Sequence, residues 1–385
     1  MQDLGEGTIR RIDWQELLPV TLLLRIFNVA VSLRILFLAL IGVLITLGAG
    51  TFIAERSVIQ NPAQPILRHV QWSPTNHLCF GQDARYVSIF HDKQTCFQRL
   101  ERSVLLPWLF FGQTGMQFLS VEPMSWSERG IKISWFVLVL LIWTYIGGVI
   151  CRSAAVRLTI DELESVQNLR RFMRQRGTGF LTSITLIVLG ILCCLIPIKI
   201  AGWLFAVPGL NYLVAALFPI PLFFGFLAVI LAVGLWFGWS LLFAAVATDG
   251  SDGFDAISRL FSYIYQRPLH YLVYWIYCGI LGFLGYLLVS LFANTTVYLT
   301  IRTSGFSAPD SVIIEGMITI WCGLVTWLPL AYLFAWFWTS SVAIYLLLRR
   351  SVDATPFNEV YRLEPVKVRT LPEIKLDEKG APEIS

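Results

Sequence analysis

Six long apolar segments, separated by polar or basic stretches, constrain this chain more than any other feature of its sequence. A helix needs about 20 predominantly apolar residues to cross a bilayer. The segments that predict such helices are residues 35–53, 135–151, 180–198, 221–247, 269–292 and 313–348. The last segment is overlong for one crossing, and Pro329 lies inside it, which predicts a tilted or kinked helix.

Composition agrees with a chain that lies mostly in lipid. Charged residues make up 14% of the sequence, whereas soluble domains carry roughly 25%. The net charge is only +4, and no basic block alternates with aromatic residues, which argues against nucleic-acid binding. The predicted fold is an all-α polytopic membrane bundle with about six transmembrane helices.

The distribution of Lys and Arg predicts the orientation of the bundle, because cytoplasmic loops carry an excess of these residues. Only Lys199 and Arg302 lie in the short connections of one side. The connections of the other side contain Arg152, Arg157, Arg170, Arg171, Arg174, Arg176, Arg259, Arg267, Arg349 and Arg350. We therefore predict a multi-pass protein of the cell (inner) membrane with both termini in the cytoplasm.

This orientation divides the chain into five parts. Residues 1–34 form a cytoplasmic N-terminus, in which the stretch from Trp14 reads as an interfacial helix, and residues 35–53 form the first crossing. Residues 54–134 are an extracytoplasmic insert, in which residues 104–119 predict a helix resting on the membrane or against the bundle. Residues 135–348 hold the five other crossings, and residues 349–385 read as a disordered cytoplasmic tail.

The connection between the third and fourth crossings is unusually apolar and contains clustered prolines. It is too apolar for a loop in water, so it predicts a re-entrant or interfacial piece within residues 197–221. Non-helical backbone at membrane depth is tolerated only where protein or a wet cavity covers it.

Residues 135–200 and 221–292 resemble each other and predict a parallel internal repeat of span, cytoplasmic amphipathic helix and span. Ala154-Ala155-Val156 and Ala244-Ala245-Val246 each precede a segment that ends in Gln-Arg. The first amphipathic helix is expected to start at a capping box formed by Thr159 and Glu162. The second is expected to be capped by Ser251 or Asp252.

The sequence ATDGSDGFDAISR at residues 247–259 carries a resemblance. It is similar to bacterial multi-pass families around the glycerophosphodiester phosphodiesterase membrane domain, which show a small–acidic–glycine stretch before a helix and another span. The similarity covers residues 135–292, and the hydrolase domain that names the group has no counterpart here. The resemblance implies a helical bundle and supplies no chemistry.

No sequence motif indicates a catalytic centre or a cofactor. His77, Cys79, His91 and Cys96 in the insert could bind zinc, but their spacing fits no common zinc site. An oxidising compartment favours a Cys79–Cys96 disulfide instead, and the four residues could also be unpaired and structurally neutral. For Asp249, Asp252 and Asp255, helix capping is a better interpretation than calcium binding.

Charged residues near the crossings are further candidates. Lys199 and Glu315 could form a pair or line an outward vestibule, or each could extend separately to the headgroups. Arg170, Arg171, Arg174 and Arg176 could bind anionic lipids of the cytoplasmic leaflet, or could only fix the topology.

These observations favour a non-enzymatic scaffold or accessory subunit of a membrane complex, with protein partners or a second copy of the chain as possible companions. The alternative is a carrier of a lipid or apolar small molecule. A membrane enzyme acting on lipid ranks last, because no acid–base cluster is visible at an interface.

Overall fold

A computed structural model describes residues 21–56, 62–63, 66, 104–119, 125–304 and 312–362 of the chain. Within these residues there is no β-strand, and eleven helices form the fold. In chain order they are α1 (Thr21–Ala30), α2 (Leu33–Arg56), α3 (Leu106–Leu119), α4 (Trp126–Ile160), α5 (Val166–Phe205), α6 (Leu210–Ala216), α7 (Pro219–Asp249), α8 (Gly253–Gln266), α9 (Pro268–Ser304), α10 (Val312–Thr326) and α11 (Leu328–Asp353).

In the described part of the chain, six helical stretches are long and apolar enough to cross a membrane, which confirms an all-α polytopic membrane bundle. Helix α11 occupies the centre, where every residue from Pro329 to Arg349 is buried. The segment that was expected to be tilted or kinked is interrupted at Trp327, because α10 ends at Thr326 and α11 begins at Leu328 with proline in its first turn. Proline is tolerated there because the first helical N–H groups lack intrahelical acceptors.

The helix before the first crossing packs against the bundle, and its predicted position at the membrane interface stays a prediction. Leu22, Leu23 and Ile26 of α1 are fully buried, and α1 contacts α11. Arg25 pairs with Asp161 at 2.9 Å, and Arg34 donates to the carbonyl of Glu164 at 2.5 Å. The arginines that suggested an interfacial position therefore attach this segment to the turn between α4 and α5.

The predicted capping box at Thr159 and Glu162 is wrong. Helix α4 continues to Ile160 and ends at Asp161, whose φ is 57°, and the Thr159 hydroxyl donates back to the carbonyl of Ala155 at 2.8 Å. The helix cap is Ser165, which accepts from the amide of Asn168 at 3.2 Å. The amphipathic segment is then the first part of α5 and continues into the third crossing without a break.

The two units of the predicted repeat share their turns but differ in the helices after them. Helices α4 and α7 end on Asp161 and Gly250 with positive φ, and Ser165 and Asp252 then cap the next helices. In the second unit Pro268 separates α8 from α9, because proline has no N–H to donate and ends the hydrogen-bonding pattern of α8. The first unit has no such proline. An internal repeat therefore stays a prediction.

The apolar connection at residues 199–220 is mostly helical. Helix α5 continues past Pro197 to Phe205, the short helix α6 follows, and α7 begins at Pro219. Trp203 and Tyr212 are 74% and 80% exposed, so this end of the α5–α7 pair is not covered by the described part of the chain. Whether it re-enters a bilayer remains a prediction.

Glycines on α9 allow close approach of two aromatic side chains of α11. A Cβ on Gly282 would lie 2.4 Å from the indole nitrogen of Trp336, and a Cβ on Gly285 would meet the Tyr332 hydroxyl. Small residues at such positions let helix backbones pack closely in membranes. A Cβ on Gly279, one turn earlier, would meet nothing within 4 Å.

We expect Gly282→Val to destabilise the bundle by about 1–3 kcal/mol, the usual cost of overpacking a core. The matched variant Gly279→Val should change stability far less, because its side chain points into open space. Unfolding of the purified variants in mixed micelles, followed by tryptophan fluorescence, measures the difference. Equal effects of the two substitutions would contradict the packing described for α9 and α11.

Candidate functional site

Two groups of ion-paired residues lie near the ends of α4, α7 and α11, and we call them together the ionic cluster and this end of the bundle the arginine-rich face. The members of the ionic cluster are Arg152, Glu164, Asp249, Arg259 and Arg349. Asp249 accepts from Arg349 and from the Tyr345 hydroxyl, and it lies 2.5 Å from the guanidinium of Arg259. Only 4% of the Arg349 side chain and 11% of the Asp249 side chain are exposed. Breaking a pair at this depth leaves an uncompensated charge.

Arg152 forms the second half of the ionic cluster. Its guanidinium makes two hydrogen bonds to the Glu164 carboxylate, at 2.9 and 3.3 Å, and lies 4.5 Å from the centre of the Phe172 ring. It also donates to the carbonyl of Ala247 at 3.0 Å. Arg152 thereby joins the ends of α4 and α7 and the turn before α5.

Residues 354–362, which we call the strap, cross the ionic cluster after α11 ends. Arg349 donates to the carbonyls of Pro356 and Glu359, at 3.2 and 2.7 Å. Arg152 donates to the carbonyl of Tyr361 at 2.8 Å, and the Tyr361 amide donates to the carbonyl of Thr248. The strap is thus held by two nearly buried arginines and by the end of α7.

Gly250 explains why the Tyr361 ring fits against this surface. Its φ is 63°, a conformation that glycine adopts without strain. A Cβ at this position would come 2.6 Å from the Tyr361 ring. Both the backbone turn and the close approach therefore require glycine here.

Helix α8 is attached to the same cluster. Arg259 bonds Asp249 and Asp255, and the Tyr263 hydroxyl donates to the Asp353 carboxylate at the end of α11. Burial of the Tyr263 ring, followed by this hydrogen bond, raises the pKa of Tyr263. The hydroxyl therefore stays protonated and remains a donor at physiological pH.

Removing the strap should destabilise the protein measurably. We expect a chain ending at Asp353 to have a free energy of unfolding about 2–4 kcal/mol lower than a chain ending at Arg362, and therefore to unfold at a lower denaturant concentration. Hydrogen bonds to charged groups contribute about 1.5–3 kcal/mol each, and water replaces part of them when the strap is removed. Both chains lack residues 363–385, so they differ only in the strap. Identical unfolding curves would show that the strap contributes nothing to the fold.

Helix α3 lies at the level of the middle of the crossings. The Phe111 ring is 5.3 Å from the ring of Trp143 and 5.8 Å from the ring of Trp338, residues that occupy the centres of the apolar stretches of α4 and α11. At 1.5 Å per residue, its 14 residues extend about 21 Å, less than the roughly 30 Å hydrocarbon core. Of the two predicted positions, the one against the bundle is correct, and α3 reaches deep between the crossings.

An apolar cavity of about 140 Å³, which we call the aromatic cavity, lies between α3 and helices α4, α5, α7 and α11. Met116 at its rim is 58% exposed, so the cavity reaches the surface of the bundle. The lining residues are predominantly aromatic and aliphatic: Phe111, Gly112, Thr114, Gly115, Met116, Phe118, Phe136, Val139, Leu140, Trp143, Ile184, Val188, Ala232, Leu235, Trp236, Trp239, Phe243 and Trp338.

Two glycines of α3 have different roles at this cavity. A Cβ on Gly112 would approach the Trp236 ring to 2.9 Å, so Gly112 brings α3 and α7 together. A Cβ on Gly115 would meet no atom within 4 Å. The hydroxyl of Thr114 is satisfied by the carbonyl of Phe110 at 2.9 Å. The cavity wall therefore presents rings and methyl groups and offers no charged group.

Most of the residues predicted as sites stay untested by the structure. Lys199 is exposed near the end of α5, and Glu315 lies in α10 with a side chain outside the described residues, so their pairing stays a prediction. Arg170 and Arg174 are exposed, whereas Arg171 and Arg176 are half-buried. His77, Cys79, His91 and Cys96 lie outside the described residues. Within the part that is described, no three His, Cys, Asp or Glu side chains are placed to hold a metal ion.

Sequence reasoning missed the ionic cluster and the aromatic cavity. Arg152, Asp249 and Arg349 each lie within two residues of the predicted end of a crossing. This shared position was the one feature of the sequence that could have indicated the ionic cluster. The sequence left the position of α3 open between the membrane surface and the bundle, and gave no indication of its depth. Comparisons of the chain with protein-family models, with curated proteins and with solved structures found no match, so these two features are the basis for assigning a function.

Proposed function

We propose that this protein is a non-enzymatic membrane protein that binds and handles the apolar chain of a lipid or of a similar apolar molecule. The observation that carries the proposal is the aromatic cavity at the middle depth of the crossings. A cavity of about 150 Å³ with purely apolar walls stays dry and can take up a benzene-sized apolar molecule. The aromatic cavity, at about 140 Å³, has the size and the lining for a segment of an acyl or isoprenoid chain.

Packing rather than hydrophobic transfer would drive such binding. Lipid tails are as apolar as the cavity wall, so moving a chain from the bilayer into the cavity gains little transfer free energy. Dispersion contacts with closely packed rings are individually small and collectively large. Rings of Phe111, Trp143, Trp236 and Trp239 offer such contacts. The cavity would therefore select chains by shape.

A fatty acid with a diazirine in its chain tests the proposal directly. The purified protein in lipid nanodiscs is illuminated in the presence of this probe, and the labelled peptides are identified by mass spectrometry. We expect adducts on α3 and on residues 232–243 of α7, at probe concentrations that leave α9 weakly labelled. Labelling spread evenly over the exposed crossings, with none on α3, would overturn the proposal.

A scaffold or accessory subunit is the second candidate, favoured by the uncovered end of the α5–α7 pair. Trp203, Tyr212 and Phe223 there are 74%, 80% and 61% exposed, and such a patch suits another helix as well as lipid. A scaffold requires no ligand in the cavity. Substitutions that fill the aromatic cavity separate the two candidates. They would abolish lipid binding in the cavity, but they would leave the binding of a scaffold to its protein partner unchanged.

A further inference from the structure

A second recess, which we call the polar groove, lies between the start of α5 and the turn that joins α7 to α8. It encloses about 460 Å³ and shares no lining residue with the aromatic cavity. Its walls include Arg176, Thr178, Thr182 and Thr185 on one side and Asp252 and Phe254 on the other. The groove thus has a cation and an anion at its border, together with the hydroxyl groups of three threonines and of Ser251.

Two glycines bring the walls of the polar groove together at its floor. A Cβ on Gly179 would lie 3.0 Å from the carbonyl oxygen of Ser251, and a Cβ on Gly253 would lie 2.5 Å from the Thr182 hydroxyl. Helix α5 and the turn before α8 are therefore in direct contact. The groove is a recess fixed by backbone packing.

Two of the threonine hydroxyls in the groove are available mainly as acceptors. Thr182 donates to the carbonyl of Gly179 at 3.3 Å, and Thr185 donates to the carbonyl of Leu181 at 2.8 Å. A hydroxyl whose proton is used in this way keeps its oxygen lone pairs. These threonines therefore favour a ligand that carries N–H or O–H donors.

The two charged residues keep capacity for a ligand as well. The Arg176 guanidinium lies 5.0 Å from the centre of the Tyr361 ring and donates to the Tyr361 hydroxyl at 3.5 Å, and arginine has five N–H donors. Asp252 accepts from the amide of Asp255 at 2.9 Å through one oxygen, and a carboxylate offers about four lone-pair sites. A ligand with a negative and a positive group matches this arrangement.

The depth of the groove points to a lipid. It extends from the turn before α8 along α5 to Leu186, two turns into the apolar stretch that starts at Phe180. Phe254 at its edge is 72% exposed and offers an apolar surface beside the groove.

We propose that the polar groove binds a phospholipid whose headgroup carries a phosphate and a primary amine. Arg176 binds the phosphate, Asp252 accepts from the ammonium, and the threonine oxygens accept from the remaining donors. Arg170 and Arg174 are exposed on the same helix and contact anionic lipid without selecting it. This site is independent of the aromatic cavity, and failure of one proposal leaves the other intact.

Native mass spectrometry of the purified full chain tests this proposal, with phosphatidylethanolamine, phosphatidylcholine and phosphatidylglycerol of identical acyl chains as probes. We expect phosphatidylethanolamine to be retained about tenfold more strongly than the others, the size of effect that a hydrogen bond between charged groups supports. Equal retention of phosphatidylcholine or phosphatidylglycerol would overturn the assignment. Soluble phosphorylethanolamine should not displace the lipid, and displacement would contradict a lipid site.

Asp252→Asn is the decisive variant, because asparagine caps a helix as well as aspartate does and removes only the charge. We expect it to abolish the preference for phosphatidylethanolamine with an unchanged melting temperature. The control Asp255→Asn, on the same helix turn and paired with Arg259, should keep the preference. Retained selectivity in Asp252→Asn would show that the carboxylate does not contact the amine.

Discussion

Replacing Gly115 with phenylalanine should lower acyl-chain labelling of the aromatic cavity by at least about tenfold, a loss that corresponds to about 1.4 kcal/mol of binding free energy. A Cβ on Gly115 meets no atom within 4 Å, so the new side chain enters the cavity without displacing the helix. A ring fills most of a cavity of about 140 Å³, and a lipid chain cannot share that space. Labelling with the diazirine fatty acid measures the change.

A matched substitution in another helix serves as the control for this prediction. A Cβ on Gly279 of α9 also meets no atom within 4 Å, and Gly279 does not line the cavity. Gly279→Phe should therefore leave labelling of α3 unchanged. Equal labelling in the wild-type chain and Gly115→Phe would contradict ligand binding in the cavity and favour the scaffold.

Replacing Arg349 with methionine should lower the free energy of unfolding by about 2–4 kcal/mol, because hydrogen bonds to charged groups contribute about 1.5–3 kcal/mol each. The side chain is only 4% exposed, and it donates to Asp249 and to the carbonyls of Pro356 and Glu359. Methionine fills much of the volume of the arginine side chain but donates no hydrogen bond. Asp249 then keeps Arg259 and Tyr345, while the strap loses two of its hydrogen bonds.

The same substitution at Arg259 is the comparison. The Arg259 side chain is 32% exposed, so solvent screens its pairing with Asp249 and Asp255, and partly exposed pairs contribute about 1 kcal/mol or less. Unfolding titrations of both variants in mixed micelles give the two values. Equal losses for Arg259→Met and Arg349→Met would show that burial does not set the strength of the ionic cluster.

The sequence predicted the features that depend on local composition. Apolar segments gave the number of crossings, because lipid requires each of them to be a helix. Pro329 and the cap at Asp252 were predictable, because proline and capping side chains act within one helical turn. The capping box at Thr159 was wrong because Asp161 ends α4 with a positive φ, and Ser165 competes for the same role.

Tertiary packing determined the features that the sequence could not predict. The short apolar segment at residues 106–119 is compatible with several positions, and its place among the crossings depends on contacts with Trp143, Trp236 and Trp338 from three other helices. The ionic cluster likewise joins residues from α4, α7, α8 and α11. The hydrophobic periodicity of one segment carries no information about which residues of other helices it will contact.

A density map of the full chain in lipid nanodiscs, obtained by electron cryomicroscopy with a bound antibody fragment, tests ligand binding most directly. We predict elongated density in the aromatic cavity, against Phe111, Trp143 and Trp236, with α3 at the middle depth of the bilayer. The same map of Gly115→Phe should lack that density. A wild-type cavity closed by side chains, or α3 resting outside the bundle, would contradict the proposed function.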